Sequence, residues 1–178
     1  GIGNLLNVVR ALQHCGATVT VVEQATEVST LPSRLVLPGV GAFTGGMAEM
    51  RQRGFDDLVR RFAGTGRPFM GICVGAQLLT HSSEEGDEPG LGWIEGRVRS
   101  LASVAGTWPV PHMGWNSVRF VQEGAPLARG LRKEGETFYF VHSYHCEPED
   151  PNLVLAECDY GGVFCAALAI GRIAARSE

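Results

Sequence analysis

Residues 67–79 read RPFMGICVGAQLL, an apolar run that passes through Gly71-Ile72-Cys73-Val74-Gly75 and continues directly into helix-forming residues. The pattern predicts a buried strand over residues 68–72 and a helix from 75 to 80. Glycines two before and two after Cys73 let the backbone turn sharply, so that the central side chain projects at the C-terminal edge of the strand. A helix N-terminus there lowers a thiol pKa, and the Val74 N–H points toward a developing oxyanion. Cys73 is therefore a candidate nucleophile. The alternative is a structural cysteine packed at a tight strand-to-helix turn.

Outward from this elbow, helix and strand signals alternate. Leu5, Val8, Val9 and Leu12 recur at i, i+3, i+4 and i+7, with Asn4 as N-cap and Gly16 as stop, which predicts an amphipathic helix over 4–15. Residues 17–22 and 34–37 read as strands, and 45–53 and 55–62 as helices. This alternation implies a parallel sheet. After Ser82 comes the polar loop SSEEGDEPGLG, then successive strand patterns at 93–99, 117–121, 137–143, 153–158 and 163–170. Asp159-Tyr160-Gly161-Gly162 reads as a hairpin turn. The expectation is one α/β domain, parallel first and more antiparallel later.

Composition bounds the function. With 178 residues, 44% of them hydrophobic and 19% charged, the chain suits a single globular domain with a sizeable core. Fifteen Lys and Arg against nineteen Asp and Glu give a net charge of -4, and no basic block is long enough to track phosphates, which argues against nucleic acid as a partner. No apolar run reaches the ~18 to 20 residues that a membrane-spanning helix needs, and the start carries no basic-then-apolar secretion signal. Five cysteines, an odd number without a C-x-x-C pair, suggest neither a disulfide framework nor a zinc site. Reduced thiols in a cytoplasm fit best.

Two further segments could serve chemistry. LPGVGAF, residues 37–43, is a glycine-rich turn after a strand, at the edge where parallel α/β folds gather ligands. Acyl chemistry needs a second N–H donor opposite the one that follows the nucleophile, and this turn can present it; a plain turn is the alternative. A cysteine nucleophile also needs a base. His14 and His81 close helices and read as partners of helix C-termini, whereas His142 and His145 flank Ser143-Tyr144 at a strand end and could line a cleft. On the residues alone His142 or His145 is the candidate base, with partly exposed strand-end histidines as the alternative. PHMGWN, residues 111–116, reads as a Pro-bounded loop suited to an exposed docking surface or to covering the core.

GIGNLLNVVRAL, LPGVGAF, GICVGAQLL, PHMGWN and FYFVHSYH, taken in that order, resemble the glutamine amidotransferase subunits of imidazole glycerol phosphate synthase over nearly the whole chain. GICVGAQ alone marks only the wider class I (triad) amidotransferases; the other motifs narrow the resemblance. It implies a three-layer, flavodoxin-like α/β fold with a mostly parallel twisted sheet flanked by helices and an additional antiparallel region. It assigns the nucleophile to Cys73, the oxyanion site to Gly39, Val40 and Val74, and glutamine binding to Gln77, His142, Ser143 and Tyr144. Asn7, Met113, Trp115 and Asn116 then lie near a (β/α)8-barrel cyclase partner, which receives ammonia in histidine biosynthesis. No metal or organic cofactor is implied.

The resemblance also expects features that these 178 residues do not contain. The family carries its catalytic His and Glu in a QFHPEKS-like segment shortly after a strand resembling CAALAIGRI, and a strand before the glycine matching Gly1. The expectation is one glutamine amidotransferase domain over residues 1–178, to which the full-length chain adds both ends. With the base assigned to that segment, His142 and His145 become fallbacks. The competing readings are a catalytically inactive paralogue that keeps its docking surface and another cysteine-elbow hydrolase using His142 or His145.

Overall fold

The computed structural model describes residues 2–122, 124–132, 135–170 and 173–176. Gly1, at the head of the GIGNLLNV motif, and Gly171-Arg172, in the run after CAALAI, lie outside the described residues, as do Ser177 and Glu178.

Helix α1 (Ile2–His14) carries the predicted apolar stripe, with Leu5, Val8, Val9 and Leu12 all half-buried. It begins two residues before Asn4, so Asn4 is inside the helix rather than at its cap. Gly16 stops it as predicted: at φ +83° it lets its own N–H reach Gln13 O (2.9 Å) and the Ala17 N–H reach Leu12 O (3.0 Å). Residues 17–22 form no strand. Their β-branched side chains favour extended backbone, but a strand needs a neighbour for its ladder, and among the described residues the edge strand β1 (Leu35–Gly39) pairs with β2 (Phe69–Cys73) and not with this stretch.

Helices α2 (Phe43–Gln52) and α3 (Phe55–Ala63) form where the periodicity places them and bury Phe43, Met47, Met50, Leu58, Val59 and Phe62. The polar loop at residues 82–92 is tied to α2: the Glu85 carboxylate accepts from the Phe43 N–H (2.6 Å), capping the helix, and Glu88 pairs with Arg51. Helix α4 (Val74–Gln77) is shorter than the predicted 75–80. The Leu78 and Leu79 carbonyls, which would continue it, accept instead from Leu91 (2.9 Å) and from Trp93 (2.8 Å), and the chain turns into strand β3 (Thr80–Ser83).

The remaining strands are β4 (Ile94–Ser100), β5 (His112–Phe120), β6 (Glu136–His142), β7 (Tyr144–Pro148), β8 (Val154–Asp159), β9 (Val163–Ile170) and β10 (Ile173–Arg176), with a short helix α5 (Ala102–Ala105) between β4 and β5. The mixed sheet runs β1-β2-β10-β9-β7-β4-β3, and a branch through β8 carries β5 and β6. Pairing is parallel at β1/β2, β2/β10 and β3/β4 and antiparallel at the other pairings, so the sheet is mixed rather than mostly parallel, and the last strand, β10, returns to the parallel element beside β2 because β8 and β9 form a hairpin that feeds it back there. The PHMGWN segment is not a loop: from His112 it is the first half of β5, paired with β6. One core cluster lies around α2, β2, α4 and β4, and a second lies beneath β5, β6, β8 and β9.

Glycines allow α4 to sit directly on the β1/β2 pair. A Cβ on Gly75 would overlap the Leu37 carbonyl, one on Gly39 would lie 2.5 Å from Gly75 N, and one on Gly71 would lie 2.7 Å from Ala76 Cα. These are backbone obstacles that cannot rotate away. Gly75→Ala should therefore destabilise the fold by about 3 kcal/mol or more, while Gly45→Ala, within α2 and facing open space, should stabilise it by about 0.5–1 kcal/mol. Urea unfolding of the two variants checks both signs.

Candidate active site

Cys73 ends β2 with φ 54° and ψ −124°, and it is the one non-glycine residue with positive φ among the described residues. That conformation costs an L-residue about 1–3 kcal/mol and persists only where surrounding structure enforces it. The enforcement is visible. Val36, Leu37, Pro38 and Gly39 pair in register with Met70, Gly71, Ile72 and Cys73, while α4 presses on the same two strands through glycines. Cys73 is thus partly buried at the C-terminal edge of the parallel pair, the position the elbow pattern predicted.

Gly39 lies directly opposite Cys73, Val40 follows it and is exposed, and Gly41 turns the loop away at φ +94°. Val74, at the first position of α4, carries one of the amides that a helix start leaves without an intrahelical acceptor. Four residues of helix give a smaller dipole than the longer helix expected, so N–H geometry is the main resource of this turn. Gln77 is buried, and its Nε2 donates to the Tyr144 carbonyl at 3.4 Å. Tyr144 packs against the same core cluster as Cys73, and the neighbouring Ser143 carbonyl accepts from the Leu101 N–H at 2.8 Å. The structure therefore gathers Cys73, Gly39, Val74, Gln77 and Tyr144 from separate stretches of chain.

Neither fallback base faces the thiol with a usable nitrogen. His142 is buried, with Nδ1 on the Tyr144 carbonyl (3.0 Å) and Nε2 on His112 Nδ1 (3.0 Å). Burial pushes its pKa down to about 4, despite the Tyr144 carbonyl pulling the other way. His145 is buried as well: its Nδ1 binds the Cys146 carbonyl (3.2 Å), its Nε2 meets no partner among the described residues, and desolvation lowers its pKa. His81 is no helix cap but a residue of β3, 2.9 Å from the Glu95 carboxylate. His14 does end α1.

The residues assigned to docking lie on α1 and the β5/β6 ribbon. Asn7 is exposed on α1. Met113 and Trp115 are 61% and 73% exposed, and each stands opposite an exposed partner that the sequence did not single out, Val141 and Tyr139. Trp115 and Tyr139 meet edge to face at 5.5 Å. Alternation along FYFVH is the signal that could have found these partners. Asn116 faces the opposite way: its Nδ2 donates to the Asp159 carbonyl (2.9 Å) and its Oδ1 accepts from the Ser117 N–H (2.8 Å).

The family model "Glutamine amidotransferase class-I" matches residues 1–173. The chain belongs to this family. It is 42% identical over 172 residues to the imidazole glycerol phosphate synthase subunit HisH of Synechococcus sp. (strain JA-3-3Ab), a match covering 96% of this chain and 78% of that one. It is 41% identical over 175 residues to the protein of the same name from Rhodopirellula baltica, covering 98% and 83%. Among solved structures, a crystal structure of a glutamine amidotransferase superposes with a TM-score of 0.70 at 20% identity, over 94% of this chain and 80% of that one. The Trypanosoma brucei CTPS glutaminase domain superposes at 0.61 and 13%, over 97% and 78%. Both structural matches speak for the amidotransferase fold. The described residues contain no helix long and apolar enough to cross a membrane.

Replacing Cys73 by Gly releases the backbone strain and replacing it by Ala does not, so Cys73→Gly should be more stable than Cys73→Ala by about 1–2 kcal/mol in urea unfolding, the reverse of the usual order. For His142, the unfolded ring takes up a proton near its ordinary 6.5 whereas the folded ring resists down to about 4. Its contribution is present above pH 6.5 and is lost as pH falls toward 4, by about 3 kcal/mol in all. Urea midpoints between pH 7 and 4.5 should fall less steeply for His142→Gln than for the unaltered protein.

Proposed function

We propose that this chain is the glutaminase subunit of an imidazole glycerol phosphate synthase, supplying ammonia to a (β/α)8-barrel cyclase in the cytoplasm for histidine biosynthesis. The observation that carries the reading is the strained Cys73 at the C-terminal edge of β2, with Gly39 of a glycine-rich turn opposite it in register. Cys73 Sγ attacks the side-chain amide carbon of glutamine. The amide C–N bond breaks, ammonia leaves with the protons it needs, and a γ-glutamyl thioester remains. Water then cleaves the C–S bond, releasing glutamate and returning the thiol. The backbone amides of Val74 and the Gly39-Val40 turn stabilise the oxyanion in both steps. Gln77, His142, Ser143 and Tyr144 hold the substrate. The chemistry requires a thiolate, a base and water, and no metal or organic cofactor.

The base belongs to the His-Glu segment that the family carries beyond the last strand. The occupied nitrogens and lowered pKa of His142 support this assignment, because a ring titrating near 4 is a poor proton acceptor at neutral pH. The exposed row Met113, Trp115, Tyr139 and Val141 suits docking to the cyclase: aromatic and Met side chains clustered on a rigid ribbon are what interface centres are made of. Asn7, exposed on α1, belongs to the same docking surface, and Asn116 supports the ribbon from its inner face. A Gly39-Val40-Gly41 turn that completes the oxyanion site only on docking would hold glutamine hydrolysis in check in the free subunit.

The test uses the full-length chain assembled with its cyclase. Cys73→Ala should lower glutamine-supported product formation at least 1,000-fold and leave ammonia-supported formation within twofold of the unaltered synthase. Retained glutamine-dependent turnover in that variant would overturn the proposal.

A further inference from the structure

The β5/β6 ribbon has a second face. Opposite the outward Met113 and Trp115, the inward residues His112 and Asn116 alternate with them along β5, and His112 stands directly across from His142 of β6. Their polar atoms form one chain: Asn116 Nδ2 lies 3.4 Å from His112 Nε2, His112 Nδ1 lies 3.0 Å from His142 Nε2, and His142 Nδ1 lies 3.0 Å from the Tyr144 carbonyl. The Tyr144 carbonyl accepts Gln77 Nε2 as well.

The direction of this chain is fixed by its last member. A carbonyl only accepts, so His142 Nδ1 carries a proton and donates. Burial lowers the pKa of both rings, so each is neutral near pH 7 and holds one ring proton. His142 Nε2 must then accept, His112 Nδ1 must donate to it, and His112 Nε2 must accept from the Asn116 amide. Each tautomer is dictated by its neighbour. The His112 ring is clamped between Tyr160 (3.9 Å) and Phe140 (4.7 Å), which keeps its donor aimed along the chain.

We propose that His112 is a positioning residue that, through His142, holds the Tyr144 carbonyl and the Gln77 amide in the arrangement that receives glutamine, linking the docking ribbon to the substrate side of Cys73. The proposal rests on the glutaminase reading above. Its physical content is that a neutral His142 can face Tyr144 with Nδ1–H only while its Nε2 has a donor, because a buried acceptor left without one favours a different ring orientation or tautomer.

Two substitutions separate this role from mere packing. His112→Phe keeps a ring between Tyr160 and Phe140 but removes the donor. His112→Asn empties part of the ring site but can place an amide N–H near the position of Nδ1. Packing alone ranks Phe above Asn in both stability and function. Positioning reverses the functional order: in the full-length chain assembled with its cyclase, KM for glutamine rises about tenfold in His112→Phe with kcat within about threefold, and returns to within about threefold of the original in His112→Asn, even though thermal unfolding ranks Asn as the less stable. KM values that are unchanged in both variants, or that follow the stability order, overturn the proposal. An unaltered protein that does not hydrolyse glutamine overturns the glutaminase reading itself, and is recognised before either variant is made.

Discussion

The structure depends on the close approach of three backbones. Strand β1, strand β2 and helix α4 lie so near one another that Gly39, Gly71 and Gly75 have no room for a Cβ. This contact forces Cys73 out of the usual backbone regions and holds it there. The same register sets Gly39 against Cys73, so a single packing constraint places both the nucleophile and the loop that faces it. Without the glycines α4 would have to lift from the sheet, and the turn at Cys73 could relax to an ordinary conformation with its side chain elsewhere.

The second half of the molecule serves that edge. The chain leaves β6 at His142 and enters β7 at Tyr144, crossing from the ribbon to the main sheet in a single residue, and the Ser143 carbonyl is pinned there by Leu101. Residues on either side of this crossing thereby reach both the aromatic cluster under the ribbon and the surroundings of Gln77. Geometry that looks remote from Cys73 in sequence ends one hydrogen bond away from the helix that follows it.

Much of this was legible beforehand because the signals were local. The elbow follows from glycine spacing, and α2, α3, β4, β6, β8 and β9 follow from periodicity within each segment. What could not be read was decided by partners distant in sequence. Residues 17–22 have strand composition but pair with no strand among the described residues, and α4 stops early because Leu91 and Trp93 claim the Leu78 and Leu79 carbonyls that would continue it. PHMGWN looks like a loop through its Pro and Gly, yet five register pairs with β6, from His112 to Asn116, make it a strand. His142 reads as a candidate base because it flanks Ser143-Tyr144 at a strand end that could line a cleft; its burial and its bond to His112, thirty residues earlier, are tertiary facts.

The outward row of Met113, Trp115, Tyr139 and Val141 also bears on how the protein must be made. A two-stranded ribbon that shows two aromatic rings, a thioether and a branched aliphatic chain to water is adhesive toward any unfolded or unpaired neighbour. A cell that produces this chain in excess of whatever covers the row accumulates a surplus with a sticky flank. The exposed row therefore makes the solubility of this chain depend on its concentration as well as on its own fold.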